Sequence, residues 1–483
     1  MKPTLALLLL ILVLVQETTS TLKVRQYQTK LKQIEATSAL TSTSASNPQK
    51  VIGRVYYPIG YGADPTGAQE SSDAILNALN DAFQVQSGLE LVAGVNDLGG
   101  VVIDLQGGNY KISKPITFPA SGGGNCVVKG GTLRASDTFP NNRHLIELSS
   151  PNSQALVTTN STYNDIKAQN EAIYYEDITF RDILFDSSYH GGGIFIIDSA
   201  RTRIDNCFFL HFQTEGILVE KGHETFVSSC FLGQHATVGG DPSERDFTGT
   251  AIDLGSNDNA ITDVAIFSAG IGVLLRGQAN IVTGVHCYNK ATYWGGIGIL
   301  VKQGAALTRI DNCYLDFNSI VMEDPVQVHV TNGLFLGDGN AVLKSVHGQI
   351  SGLNIVDNMF SGDPKNMKPI VTLDGNFGSI DQVVIDRNNV GGMSLKSTVG
   401  RLTVTGNGTK WVADFSSVLV FPNRINHFHY SFYAQGVPGG LPVHAVTNVS
   451  NNVVVVESDK VVNGVVSVVV DQYGMVGQTT FVI

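Results

Sequence analysis

The chain has 483 residues, 43% of them hydrophobic and only 15% charged, with a formal net charge of -11. So acidic a molecule is a poor partner for nucleic acid, and it repels polyanions except where cations gather locally. Its length exceeds that of one ordinary globular core, and 52 glycines supply corners, so a sheet-rich fold that grows by adding similar units is expected.

Taken in order, Met1-Lys2, the apolar run Leu5 to Val15 and the polar stretch Gln16 to Ser20 read as a secretory signal over residues 1–20. That run is too short to span a bilayer core of about 30 Å. No later stretch is long and apolar enough to do so, and no membrane partner is expected. Residues 21–50, rich in Ser, Thr, Lys and Gln, read as a flexible arm. Glycosylation acceptors at Asn160, Asn407 and Asn448 agree with export.

Ordered structure is expected from Val55-Tyr56, a strand ending in a turn. Ser71 or Ser72 then caps a helix whose apolar face is Ala74, Ile75, Ala78, Leu79 and Ala82. This strand, turn and helix resemble the entry segment of secreted pectate-lyase-like β-helix proteins, in which the helix caps the open end. The runs Gly99 to Leu105, Gly108 to Ile112 and Val127 to Leu133 open the first rungs. Residues 134–176 are polar and irregular and read as a loop excursion bearing Asn160.

From Glu215 to Val301 one phrase recurs four times, a small residue followed by a β-branched-rich apolar run: Glu215 to Val219, Thr250 to Leu254, Gly270 to Leu275 and Gly295 to Val301. Between these come Cys207-Phe208-Phe209, Cys230-Phe231-Leu232, Ala265-Ile266-Phe267, Cys287-Tyr288 and Cys313-Tyr314-Leu315. Cys207 and Cys230 lie 23 positions apart, and Cys287 and Cys313 lie 26 apart. Short strands at that interval, with no helix-length segment between, specify an all-β right-handed parallel β-helix. The expected organisation is a signal over 1–20, an arm over 21–50, the β-helix over 51–404 and, over 405–483, an antiparallel C-terminal β cap.

Five cysteines exclude a complete disulfide set. Four occupy the same phrase of the repeat and read as stacked core thiols, with a Cys207–Cys230 bridge sterically open. Without clustered His or Cys-x-x-Cys spacing, neither a metal nor another cofactor is expected.

Stacked rungs, about 4.8 Å apart, turn spacing into adjacency. Aligning the four strands puts Ile217, Ile252, Val273 and Ile299 inside and Leu218, Asp253, Leu274 and Leu300 outside. Asp253 is the lone acid of that outer column and the first catalytic candidate. The next outer column holds Glu220, Gly255, Arg276 and Lys302, and its two cations suit the carboxylate of a bound uronate. The loop after Leu232 brings His235, Asp241, Glu244 and Asp246 toward Glu215 and Asp253, with His223 nearby. Inverting cleavage of a glycosidic bond needs an acid and a base about 6.5–9.5 Å apart. Asp253 with Asp241 or Asp246 is the expected pair, Glu215 and His223 are further candidates, and Arg276 and Lys302 would hold substrate.

Over Phe209 to Ile299, with Cys230-Phe-Leu-Gly-Gln-His235, Gly239-Gly-Asp-Pro242 and Asn257-Asp-Asn-Ala-Ile-Thr-Asp-Val264, the chain resembles the Quartet-type plant polygalacturonases. The resemblance runs from near Tyr56 to the C-terminal cap. It implies a secreted β-helix hydrolase of α-1,4-galacturonan in the plant cell wall, inverting in mechanism and associated with separating pollen tetrads. The Asn-Thr-Asp, Gly-Asp-Asp, Gly-His-Gly and Arg-Ile-Lys motifs of ordinary polygalacturonases are missing. Phe267-Ser-Ala-Gly-Ile271 and Tyr293-Trp-Gly-Gly296 stand where the paired aspartates and the histidine motif would be, so no catalytic residue transfers by motif. A calcium-dependent pectate lyase built on Asp241, Glu244 and Asp246 is an alternative reading, as is a non-catalytic pectin-binding protein. The expected partner is pectin and the expected state a monomer.

Overall fold

A small residue before each apolar run lets the chain turn inward early, and the repetition of that device winds the molecule. The computed structural model describes residues 54–85, 87–151, 153, 172–234, 248–288, 296–436 and 440–474. The expected signal and arm, Asn160, and the acids Asp241, Glu244 and Asp246 lie outside the described residues.

Each turn carries three short strands, as in Phe226–Ser228, Phe231–Gly233 and Thr250–Leu254, followed by Ala260–Thr262, Ala265–Phe267 and Ile271–Leu275. Pairing between turns is parallel throughout these rungs. The third strands stack into a ten-stranded sheet from Ile116–Thr117 to Val371–Asp374, while the first and second share a larger sheet. This is a right-handed parallel β-helix, wound as parallel crossovers wind.

The first and second strands meet at one residue in the left-handed region, Asn206 (φ 51), Ser229 (φ 54), Asp263 (φ 53) or Asn312 (φ 53). Short polar side chains tolerate that conformation, which explains the asparagines that punctuate the repeat. Inside, Ile217, Ile252, Val273 and Ile299 stack in register and are fully buried. Shortening one of them, as in Ile252→Ala, would cost about 2–5 kcal/mol.

All five cysteines are buried and free, so no bridge joins Cys207 and Cys230. Cys207, Cys230 and Cys313 precede paired strand residues and share one position. Cys287 instead pairs with Leu315 one rung on, two residues further along the strand. A slip of two leaves the inward face unchanged, which is why the phrases looked alike.

The helix Ser72–Ala82 forms as expected, and Ala74, Ile75, Leu79 and Ala82 join the apolar core of the first rungs. Its first turn is satisfied differently from expectation. Glu70 accepts from the Ser72 amide at 2.8 Å, while the Ser71 hydroxyl accepts from the Asp64 amide at 3.0 Å. At the other end, Val399–Asp414, His427–Gln435, His444–Ser450 and Val453–Asp471 form an antiparallel sheet with a core of its own around Trp411, Val456 and Val468. The expected boundary at 404 falls within the first of these strands. Among the described residues no helix is long and apolar enough to cross a membrane.

Candidate functional site

Strands of the ten-stranded sheet send two consecutive residues inward and the next one out. Asp253 therefore stands on the outer face between Leu218 and Leu274, with Phe195 beyond Leu218. The expected column is present, but its acid is not open to solvent: Asp253 is only 8% exposed. The apolar neighbours exclude water on two sides, and the Arg276 side chain lies back over the carboxylate from the rung above.

That guanidinium serves two acids at once. Nε donates to Asp253 Oδ1 at 2.7 Å, while Nη1 and Nη2 donate to Glu220 Oε2 and Oε1 at 3.2 and 2.8 Å. Gly255 makes this possible, since a Cβ there would stand 2.8 Å from both terminal nitrogens. The fork-to-fork pairing goes to Glu220, and Asp253 receives the remaining donor. Burial pushes Asp253 up to about 7. Arg276 opposes that rise, whereas Glu220 and Glu215 add to it. Burial works against the Arg276 charge, but Asp253 and Glu220 outweigh it and hold the proton on more tightly than usual.

A second pair reaches across a second glycine. The register places Gly192 between His144 and Glu215, and His144 Nε2 lies 3.2 Å from Glu215 Oε2. At Gly192 a Cβ would stand 2.4 Å from both the Glu215 carbonyl oxygen and the His144 ring. Burial pushes the Glu215 carboxyl up, yet the hydrogen bond and charge of His144, together with Arg276, hold it below its ordinary value. Phe195 packs against the His144 ring with centroids 5.7 Å apart.

Sequence reasoning missed His144. It lies in the strand His144–Leu148, inside the stretch read as an irregular loop, because five strand residues between polar runs leave almost no alternation to read. The same strand supplies Glu147, which is buried and paired with Arg143. The signal that could have found it was the spacing of His-Leu-Ile-Glu-Leu one rung before Gly192 to Ile196.

The two cations expected to hold substrate already have carboxylate partners. Arg276 serves Glu220 and Asp253, while Lys302 binds Glu323 at 2.7 Å, with Lys344 on the other oxygen at 3.2 Å. Glu323 stands one rung beyond Lys302, outside the four repeated phrases. His223 lies past the corner on the larger sheet, paired with Ala200 and facing Glu224 at 3.3 Å, so it does not join Glu215 and Asp253. Asn407 and Asn448 are exposed on the C-terminal sheet. Among the described residues, no group of three or more His, Cys, Asp or Glu side chains is arranged to hold a metal ion.

One outer face thus carries two carboxyls whose surroundings push their proton affinities apart. Asp253 is lifted to about 7, whereas Glu215 is held below its ordinary value. Groups separated in this way divide into acid and base.

No family model matches the chain. Polygalacturonase QRT3 of Arabidopsis thaliana is 51% identical over 440 residues, which cover 90% of this chain and 88% of that protein. Among solved structures, endo-xylogalacturonan hydrolase from Aspergillus tubingensis superposes with a TM-score of 0.49 at 11% identity, covering 70% of this chain and 92% of its own. The tailspike protein of E. coli bacteriophage HK620, a double mutant in complex with a pentasaccharide, gives 0.43 at 10% identity, covering 89% and 96%.

Proposed function

The chain belongs to the polygalacturonase family of that Arabidopsis protein, and on this premise we propose that it hydrolyses α-1,4-linked galacturonan with inversion, Asp253 acting as general acid and Glu215 as general base. What supports the reading is the opposite bias on two carboxyls of one face: burial, helped by the neighbouring Glu220 and Glu215 and opposed by Arg276, lifts Asp253 to about 7, while His144 holds Glu215 below its ordinary value. Asp253 donates its proton to the glycosidic oxygen as the bond to the anomeric carbon breaks. Glu215 takes a proton from the water that attacks the opposite face of that carbon. Positive charge spreads over the ring oxygen and anomeric carbon in the transition state, and the local carboxylates stabilise it. Arg276 acts as a positioning residue, fixing the Asp253 carboxyl against the sheet. Asp241 or Asp246 in place of Glu215 is the variant of this pairing favoured by the sequence.

The same reading places the protein in the plant cell wall after export, glycosylated at Asn160, Asn407 and Asn448, acting as a monomer on pectin, with pollen tetrad separation as the process served. Incubating the full chain with polygalacturonate tests the chemistry. New reducing ends, lost in Asp253→Asn and Glu215→Gln, are the expected result. An unsaturated product that absorbs in the ultraviolet and vanishes with chelator identifies a lyase instead, and binding without either product identifies a non-catalytic wall protein.

A further inference from the structure

The cations Arg276, Lys302 and Lys344 on the outer face of the ten-stranded sheet are all bound to carboxylates of the chain itself. A polyanionic sugar chain gains little charge pairing from them, and so acidic a protein needs another foothold. On the larger sheet, the outward column Arg309, His329 and Asn354 runs in register over three rungs and forms the floor of a groove of about 380 Å³. That volume is in the range of small-molecule sites, about 300–1,000 Å³.

We propose that this groove, formed by Arg309, Gln327, His329, Asn354, Gln382 and Tyr473, binds carboxylate-bearing sugar units at a place separate from the Asp253 face. The proposal rests on the galacturonan reading for its ligand class. None of the lining side chains is a carboxylate, and Arg309 is exposed with no carboxylate partner among the described residues. Its planar fork matches a carboxylate, while three amides and a phenol offer donors and acceptors of the kind that sugar hydroxyls need. Asn354 Nδ2 donates to His329 Nε2 at 2.9 Å, which puts the ring hydrogen on Nδ1. Burial and the Arg309 charge hold His329 below its ordinary value, so the imidazole adds a hydrogen-bonding group without a second charge.

The walls are built rather than incidental. Gln327 and Gln382 sit at left-handed corners, with φ of 51 and 50, and Gly352 leaves room for the first, since a Cβ there would come within 3.2 Å of Gln327 Cγ. Tyr473 is anchored on both sides of its peptide: its amide donates to Asp471 Oδ1 at 2.7 Å, and Asn426 Nδ2 donates to its carbonyl at 3.1 Å. The Gln382 amide donates to the Gly474 carbonyl at 2.8 Å, tying the last rung to the segment that brings in the phenol. A site fixed before its ligand arrives loses less on ordering.

Calorimetric titration of the full Asp253→Asn chain with tri-galacturonate tests this, because that substitution prevents turnover while both faces remain. Two binding classes are expected. Arg309→Ala should weaken one of them by at least about tenfold with an unchanged melting temperature, and Tyr473→Ala should weaken the same class. A methyl-esterified oligomer should bind that class more weakly by a similar factor. Both classes persisting in the two variants, or equal binding of the esterified oligomer, would overturn the proposal. Reducing ends released by the wild-type chain are scored separately. Hydrolysis with a single binding class refutes the groove and leaves the catalytic reading standing, whereas two classes without hydrolysis do the reverse.

Discussion

Two stretches of one outer face solve the same electrostatic problem with opposite stoichiometry. Lower on the solenoid, one guanidinium, Arg276, is divided between two nearly buried acids, Glu220 and Asp253. Higher up, one nearly buried acid, Glu323, is divided between two half-exposed lysines, Lys302 and Lys344. A carboxyl short of positive charge keeps its proton, and one with a surplus gives it up. Burial accordingly lifts Asp253 to about 7, whereas for Glu323 the two lysines overcome the effect of burial and hold it below its ordinary value. The contrast shows how one outer face of a β-helix can hold carboxyls biased in opposite directions, distinguished by the count of partners rather than by residue type.

Removing the donor itself has the greatest consequence expected. Asp253→Asn should lower kcat on polygalacturonate by about 10²–10⁴-fold, the range for loss of a general acid, while Lys302→Gln should leave kcat nearly unchanged. Next comes the cation. Arg276→Gln removes the counter-charge of Glu220 and the donor that holds Asp253, and unfolding by urea should show a loss of about 3–5 kcal/mol at neutral pH. Lys344→Gln, by contrast, should cost within about 1 kcal/mol, because its ammonium is solvated and Glu323 keeps Lys302.

Partner count can also be changed without touching the donor. Glu220→Gln hands the whole guanidinium to Asp253, favouring its ionised form, so the alkaline limb of the kcat/KM profile should move to lower pH by about one unit. Gly255→Ala should move the limb in the same direction, since the added methyl pushes the Arg276 fork away from Glu220.

A last effect concerns stability against pH, and its sign differs between the two clusters. Asp253 holds its proton more tightly folded than unfolded, so its contribution is fully present below 3.8 and is lost as the pH rises through about 7. Glu323 holds its proton less tightly when folded; its contribution is present above the ordinary carboxylate value and is lost as the pH falls through the lowered one. Melting temperatures of Asp253→Asn and Glu323→Gln measured across pH 3 to 8 should therefore depart from the wild type at opposite ends of the scale.

How much of this was legible in the sequence follows from what periodicity can carry. Strand positions repeat, so the inward stack at Ile252 and the outward place of Asp253 were readable from four aligned phrases, and pairing bears both out. Side-chain reach does not repeat. Nothing in the spacing says that Arg276 folds back over Gly255, or that His144 crosses Gly192 to meet Glu215, because in both cases the informative residue is a glycine that offers only space. The exposure expected of Asp253 failed for that reason: an outward Cβ is open only if no longer neighbour lies across it. Lys302 reads as a free cation in the sequence because its partner, Glu323, is on a rung whose phrase is shorter and does not match the other four.

The protonation of Asp253 can be observed without any assumption about substrate. Aspartate carboxyls labelled with ¹³C, with the Asp253 signal identified by its disappearance in Asp253→Asn, would be followed by NMR from pH 3 to 9. A titration midpoint near 7, displaced downward in Glu220→Gln, is the expected result. A midpoint at the ordinary 3.8, unmoved by that substitution, would contradict an Asp253 lifted by burial and the neighbouring Glu220.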